Sequence, residues 1–277
     1  MAFYGIDVSY YAGTIDWQKV NQNGPDFCFV RVGYINGDGT IAMDSEFENN
    51  MNGIADTCID AGLYLYSYLR TTQAAAEAAD RFISIAQAYH LTMPLVLDLE
   101  DLNVYGTLGR ELTTEIAQVF LGRVWDAGYY PMLYSNPNFV NLYLDMDQLS
   151  AYDFWVADYR SWIGYQGAYT IWQYTDQGVI DGIGQRVDLD IACRDYPALI
   201  KSEGYNHLPA WMRILPGSRV RIRSTAAYYA NSTAAIPPCV RGSDYTVLKV
   251  CGSTALLSCI HSWVRLQDLE LISGPAD

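Results

Sequence analysis

With 277 residues, 51% hydrophobic and 17% charged, the chain has enough apolar material for one large or two smaller packed units and too little charge for disorder. Its formal charge of −14 argues against a nucleic-acid surface over most of its length: nine basic residues face 26 acidic ones in positions 1–200, against eight and five in 201–277. No apolar run reaches the ~20 residues of a membrane span, and the start "MAFYGIDVSYY" has neither a basic leader nor a small-residue cleavage site, so neither membrane insertion nor a secretory signal is expected.

In chain order, residues 3–9, 27–34, 63–69, 94–100, 130–135, 154–159 and 169–175 read as strands, rich in β-branched and aromatic side chains. Segments 45–62, 72–90 and 113–128 read as helices, each ending at or near Gly, Pro or a turn. This alternation predicts an α/β domain with a largely parallel sheet, doubly wound or a barrel, over residues 1–200. After Tyr134 the strands follow with little helix between them, so the later units are expected to be abbreviated. Residues 201–212 lack a period and read as a linker. Residues 213–277 hold short, evenly spaced strand-like runs, a small all-β barrel.

None of the six cysteines (Cys28, Cys58, Cys193, Cys239, Cys251, Cys259) forms a CxxC pair, and there are only three histidines. Neither a metal site nor a cofactor is expected. The cysteines read as reduced core thiols, with a disulfide confined to the C-terminal part as the alternative.

The run "LVLDLED", residues 95–101, breaks an apolar strand with three acids. Two apart on a strand, Asp98 and Glu100 face one way, with Cβ atoms roughly 6.5 Å apart and Asp101 opposite. The C-terminal ends of parallel strands are where α/β barrels build active sites. Crowded carboxyls split their pKa values, and paired carboxyls beside a cleft are the equipment for cleaving glycosidic bonds. Asp7, at the end of the first strand, and Asp188, in "RVDLD", reach the same mouth if the barrel closes, and Asp190 shares the face of Asp188. The plainer reading is that such acids are solvated strand tips or helix caps. Tyr68, Tyr134, Tyr159 and Trp172 fall at strand ends, where a flat ring with a polar tip suits a sugar. Most aromatics in a barrel are core.

The motifs "GIDVSYYAGTIDW", "FCFVRVGY", "PLVLDLED", "MLYSN", "FWVADY" and "IWQYTDQGVIDGIGQRVDLD" follow in order the pattern of family 25 of the glycoside hydrolases, over about residues 3–193. The chain resembles these lysozymes (N-acetylmuramidases) of bacteria, phages and some fungi. The resemblance implies an irregular TIM-like (β/α)5β3 barrel acting on bacterial peptidoglycan at the β-1,4 bond between N-acetylmuramic acid and N-acetylglucosamine. It makes Glu100 the general acid and has Asp98 orient the 2-acetamido group or activate water. Asp7 and Asp188 tune this pair, and Tyr68 and Tyr134 line the cleft. The chain departs from the pattern at Ala12, where glutamine is usual, and at Leu69, where histidine is usual. The tail resembles a bacterial Src-homology-3-like cell-wall-binding domain through "VRIRS", "YTV" and "SWV". The pairing resembles a phage endolysin, made in the host cytoplasm and released by a holin, with a monomer favoured. A phage-tail or bacterial muralytic protein of the same chemistry, or a non-catalytic glycan-binding module, are the alternatives.

Overall fold

The computed structural model describes residues 2–22 and 24–275. Nine strands form the first sheet: β1 (Phe3–Val8), β2 (Phe27–Ile35), β3 (Ile41–Met43), β4 (Asp60–Ser67), β5 (Leu95–Asp98), β6 (Pro131–Ser135), β7 (Asp153–Ala157), β8 (Ile171–Gly178) and β9 (Val187–Ala192). The order is β1-β9-β8-β7-β6-β5-β4-β2-β3, and β1 also pairs with β2. Eight strands therefore close into a barrel, with β3 hung on β2 as an outer hairpin strand. Pairings from β1 through β2 and on to β8 are parallel, and β9 runs antiparallel to both its neighbours.

Six helices accompany them: α1 (Trp17–Gln22), α2 (Phe47–Ala55), α3 (Thr72–Ala86), α4 (Leu102–Asp126), α5 (Pro137–Tyr143) and α6 (Tyr196–Glu203). Helices follow β1, the β2–β3 hairpin, and then β4, β5 and β6, whereas β7, β8 and β9 succeed one another without a helix. The abbreviation expected after Tyr134 thus falls between β7 and β9.

Strand parity explains the interior. Every residue of β5 and β6 is buried, as in parallel strands covered on both faces. One parity packs against the helices (Leu95, Leu97, Leu133), while the other fills the barrel with Phe27, Phe29, Val96, Met132 and Trp155. Carried one step further up, the inward parity delivers polar residues: Asp7 on β1, Asp98 on β5, Tyr134 on β6 and Gln173 on β8. Outside, α3 turns Ala74, Ala75, Ala78, Ala79 and Phe82 to the sheet, a helical stripe started by Thr71, whose side chain accepts from the Ala74 N–H.

Some expectations shift. The helix read over 45–62 ends at Ala55, because Asp60 already pairs with Phe27 in β4. The helix read over 113–128 begins earlier, at Leu102, interrupted where Gly109 takes φ 77°. Residues 201–212 are packed against the barrel: α6 runs to Glu203, and buried Asn206 donates to the carbonyls of Leu91 (2.9 Å) and Met93 (3.0 Å) and accepts from the Tyr130 N–H (2.9 Å).

A second, five-stranded antiparallel sheet follows: β10 (Arg219–Ile222), β11 (Asp244–Cys251), β12 (Thr254–Leu257), β13 (Ser262–Arg265) and β14 (Leu269–Ser273), in the order β13-β12-β11-β10-β14. It has its own core around Val220, Ile222, Val247, Leu257 and Val264. The cysteine reading is corrected here. Cys58, just before β4, and Cys251, at the end of β11, form a disulfide between barrel and second sheet, Cα atoms 4.6 Å apart. Of the others only Cys28 is buried, while Cys193, Cys239 and Cys259 are exposed. Among the described residues no helix is long and apolar enough to cross a membrane.

Candidate active site

At the C-terminal ends of the parallel strands the barrel opens into a cleft of about 670 Å³. A larger concavity, about 960 Å³, lies at the opposite end, between the barrel base and the second sheet. The chemistry collects in the smaller one. Asp7, Asp98, Glu100 and Asp188 line it together with Tyr68, Tyr134 and Tyr159, so seven of the nine residues singled out in the sequence meet there.

Asp98 is the last residue of β5, registered against Tyr134 of β6, and only 4% exposed. Its Oδ1 has no hydrogen-bond partner. Glu100 lies just beyond the strand and is half-buried, not a strand residue as expected. Its neighbour Asp101 turns away to cap α4, accepting from the Val104 N–H at 2.8 Å. Burial, reinforced by the charge of Glu100 and opposed by Arg31, raises the Asp98 pKa well above the ordinary carboxylate range. Burial also raises Glu100; Asn136 opposes this with a hydrogen bond, while Asp188 and Asp101 add to it. Asn136 is free to do so because it caps α5 through Oδ1, which accepts from the Phe139 N–H at 3.0 Å.

The other carboxyls come from the closing strands. Antiparallel pairing sets Asp7 directly against Asp188, and Gln173 against Asp190. Burial and then the charges of Asp188 and Asp190 raise Asp7 strongly. Asp188 is pushed up to about 6, first by burial and then by Asp176.

Gln173 is the hub that sequence reasoning missed. Its Oε1 accepts from the hydroxyls of Tyr134 (2.9 Å) and Tyr159 (2.8 Å), which orients the amide so that Nε2 donates to Asp7 Oδ2 at 2.6 Å. The same parity that places Asp98 inside places Gln173 inside and sends the adjacent Trp172 outward. Trp172 therefore does not line the cleft; its indole donates to the Asp158 carbonyl (2.8 Å) and its ring packs on the outer core. Asp190 is likewise out of a substrate's reach. It is 0% exposed beneath the cleft, with Oδ1 accepting from the Trp155 indole at 2.9 Å.

Arg31 is the cation of the cleft lining, facing Asp7, Asp44, Asp98, Glu100 and Asp188. Its guanidinium is tied to Asp44 through Nε (2.8 Å) and Nη2 (2.7 Å). The remaining acids thus crowd together with little compensation, which favours their protonated forms. A protonated carboxyl beside an ionised one with a free lone pair can donate a proton to a leaving oxygen while holding a polar group of the substrate.

The chain matches Glycosyl hydrolases family 25 over residues 6–183 and belongs to that family. It is, by class, a glycoside hydrolase. It is 27% identical over 196 residues to the uncharacterized protein YegX of Escherichia coli O157:H7, covering 68% of each chain. The autolytic lysozyme of Clostridium acetobutylicum is 24% identical over 189 residues, 67% of this chain and 54% of that one. The modular autolysin LytC of Streptococcus pneumoniae superposes with a TM-score of 0.60 at 27% identity, over 69% of this chain and 46% of LytC. The chain thus spans about half the length of LytC and of the clostridial lysozyme.

Proposed function

We propose that the chain is a peptidoglycan hydrolase that cuts the β-1,4 bond between N-acetylmuramic acid and N-acetylglucosamine. The observation that carries this reading is the convergence of four carboxyls, from β1, β5, the turn after β5 and β9, in one aromatic-lined cleft. Similarity to an autolytic lysozyme, and to an autolysin also solved with a synthetic peptidoglycan ligand, supports the substrate class.

In this reading Glu100, whose burial favours the protonated form, donates to the leaving oxygen. Asp98 uses its unpartnered Oδ1 to take the acetamide N–H of the muramic residue or a water proton. These two uses differ in the anomer released: assistance by the acetamide retains configuration, whereas direct attack by water inverts it. Asp7, held by Gln173, and Asp188 place their carboxyl oxygens behind an oxocarbenium-like transition state.

We further propose that residues 213–277 are a Src-homology-3-like module that holds the enzyme on the wall, and that the protein acts in the endolysin manner. Its positive balance of eight basic to five acidic residues over 201–277 suits an anionic wall. Borohydride reduction of digested glycan strands tests the bond. Muramicitol as the new end is expected; glucosaminitol would show cleavage of the other linkage. For the endolysin manner, expression in the cytoplasm should leave cells intact until the membrane is permeabilised. Lysis without permeabilisation would contradict it.

A further inference from the structure

One side of the cleft ends in two aromatic rings that the chemistry above does not use. Immediately after β1 the chain makes a tight turn over Tyr10–Ala12, closed by Gly13 at φ 68°, whose N–H donates to the Tyr10 carbonyl at 3.1 Å. Ser9 Oγ accepts from the Tyr11 N–H at 3.4 Å, and the Tyr10 N–H donates to Asp44 Oδ2 at 3.1 Å. The two rings lie against each other with centroids 4.0 Å apart. The Arg31 guanidinium sits 5.0 Å from the Tyr10 centroid and 5.3 Å from that of Tyr11. Backbone, capping hydroxyl, carboxylate and cation thus all fix this turn. Even so, Tyr10 remains 45% exposed and Tyr11 69% exposed.

A rigid aromatic pair left open to water inside a functional concavity marks a contact surface. Its rigidity lowers the ordering cost of binding. The electrostatics here differ from those at the cleft centre. The nearest acid, Asp44, is matched by Arg31, so the rings present an apolar surface with hydroxyl tips and no uncompensated negative charge. That surface suits the C–H face of a pyranose. Tyr66, Tyr68 and Tyr34 touch in sequence along the same concavity, centroids 5.0 and 5.9 Å apart, so the aromatic lining continues from the catalytic acids outward.

We propose that Tyr10 and Tyr11 form a stacking subsite for a sugar of the glycan strand lying beyond the disaccharide whose bond is cut. This rests on reading the cleft as a glycan-hydrolysing site. The subsite makes the enzyme prefer long strands to short fragments.

The test measures binding by the full-length Glu100→Gln protein, so that turnover does not interfere, to the N-acetylmuramyl-N-acetylglucosamine disaccharide alone and to a glycan oligomer of four N-acetylglucosaminyl-N-acetylmuramyl units. Adding Tyr10→Ala and Tyr11→Ala is expected to weaken binding of the longer oligomer about tenfold and to leave the shorter within about twofold. Tyr10→Phe with Tyr11→Phe, which keeps the ring faces, is expected to restore the preference. If the alanine pair unfolds the turn, Tyr10→Leu with Tyr11→Leu preserves bulk without a ring face and is read the same way. Unchanged affinity for the longer oligomer, equal loss on both lengths, or no binding of either oligomer by the Glu100→Gln protein would overturn the subsite. Failure of the hydrolytic reading shows separately, as wild-type protein that binds the oligomers and releases no reducing ends.

Discussion

At Asp98 and Asp188, burial raises the free energy of the charged form, so each carboxyl holds its proton more tightly in the folded chain than in the unfolded one. Stability is then fully present below the ordinary carboxylate value and falls as pH rises through the folded value, which for Asp188 is about 6. Replacing Asp188 with Asn removes that penalty. Urea unfolding should show the variant about 1–2 kcal/mol more stable than wild type at neutral pH and level with it near pH 3.5. An equal gain at both pH values would show that repacking, not ionisation, is responsible. Gln173 makes a second residue-scale case. Gln173→Leu leaves the hydroxyls of Tyr134 and Tyr159 without their acceptor and Asp7 without its donor. Hydrolysis is expected to fall roughly tenfold or more while the circular dichroism spectrum is retained. Normal turnover would remove Gln173 from the machinery.

Among elements, the strand-to-helix turn after β5 does two jobs in four residues. β5 ends at Asp98, Glu100 follows in the turn, and Asp101 starts α4 by accepting from the Val104 N–H at 2.8 Å. Asp101→Ala is expected to cost about 1 kcal/mol, readable as a lower thermal midpoint. A cost within error would mean that the α4 start is held by packing alone. The same stretch shows what a sequence reveals. The apolar run and its acids were legible, and so was the inward direction of Asp98, because alternation is a local rule. Glu100 falls outside the strand, because β5 stops where its neighbours β4 and β6 cease to pair with it. Trp172 lies outside the cleft for a physical reason. Aromatic character at a strand end says nothing of which face it occupies, and parity gives the inner face to Gln173. The period that predicts one helix over 45–62 persists past Ala55. The pairing of Asp60 with Phe27 that ends it is a contact across 33 positions.

On the scale of the whole molecule, three long-range features lay beyond any local pattern. They are the closure of β1 on β9, the docking of Asn206 into the barrel base and the Cys58–Cys251 bridge. The bridge joins residues 193 positions apart, so reducing it, or replacing Cys251 with Ser, should lower stability by about 5 kcal/mol in the chain-entropy picture. Calorimetry with and without reductant checks this, and an unchanged midpoint would contradict it. Removing residues 214–277 retains Asn206 and is expected to weaken co-sedimentation with walls more than turnover of soluble glycan. Undiminished sedimentation would take wall binding away from the second sheet. The central claim, that the carboxyl cluster cuts wall glycan, is tested most directly by digesting purified peptidoglycan with wild type and with Glu100→Gln, scoring new reducing ends and new free amines together. New reducing ends without amines from the wild type, and neither from the variant, is the expected result. Amines without reducing ends, or a Glu100→Gln protein as active as wild type, would contradict it.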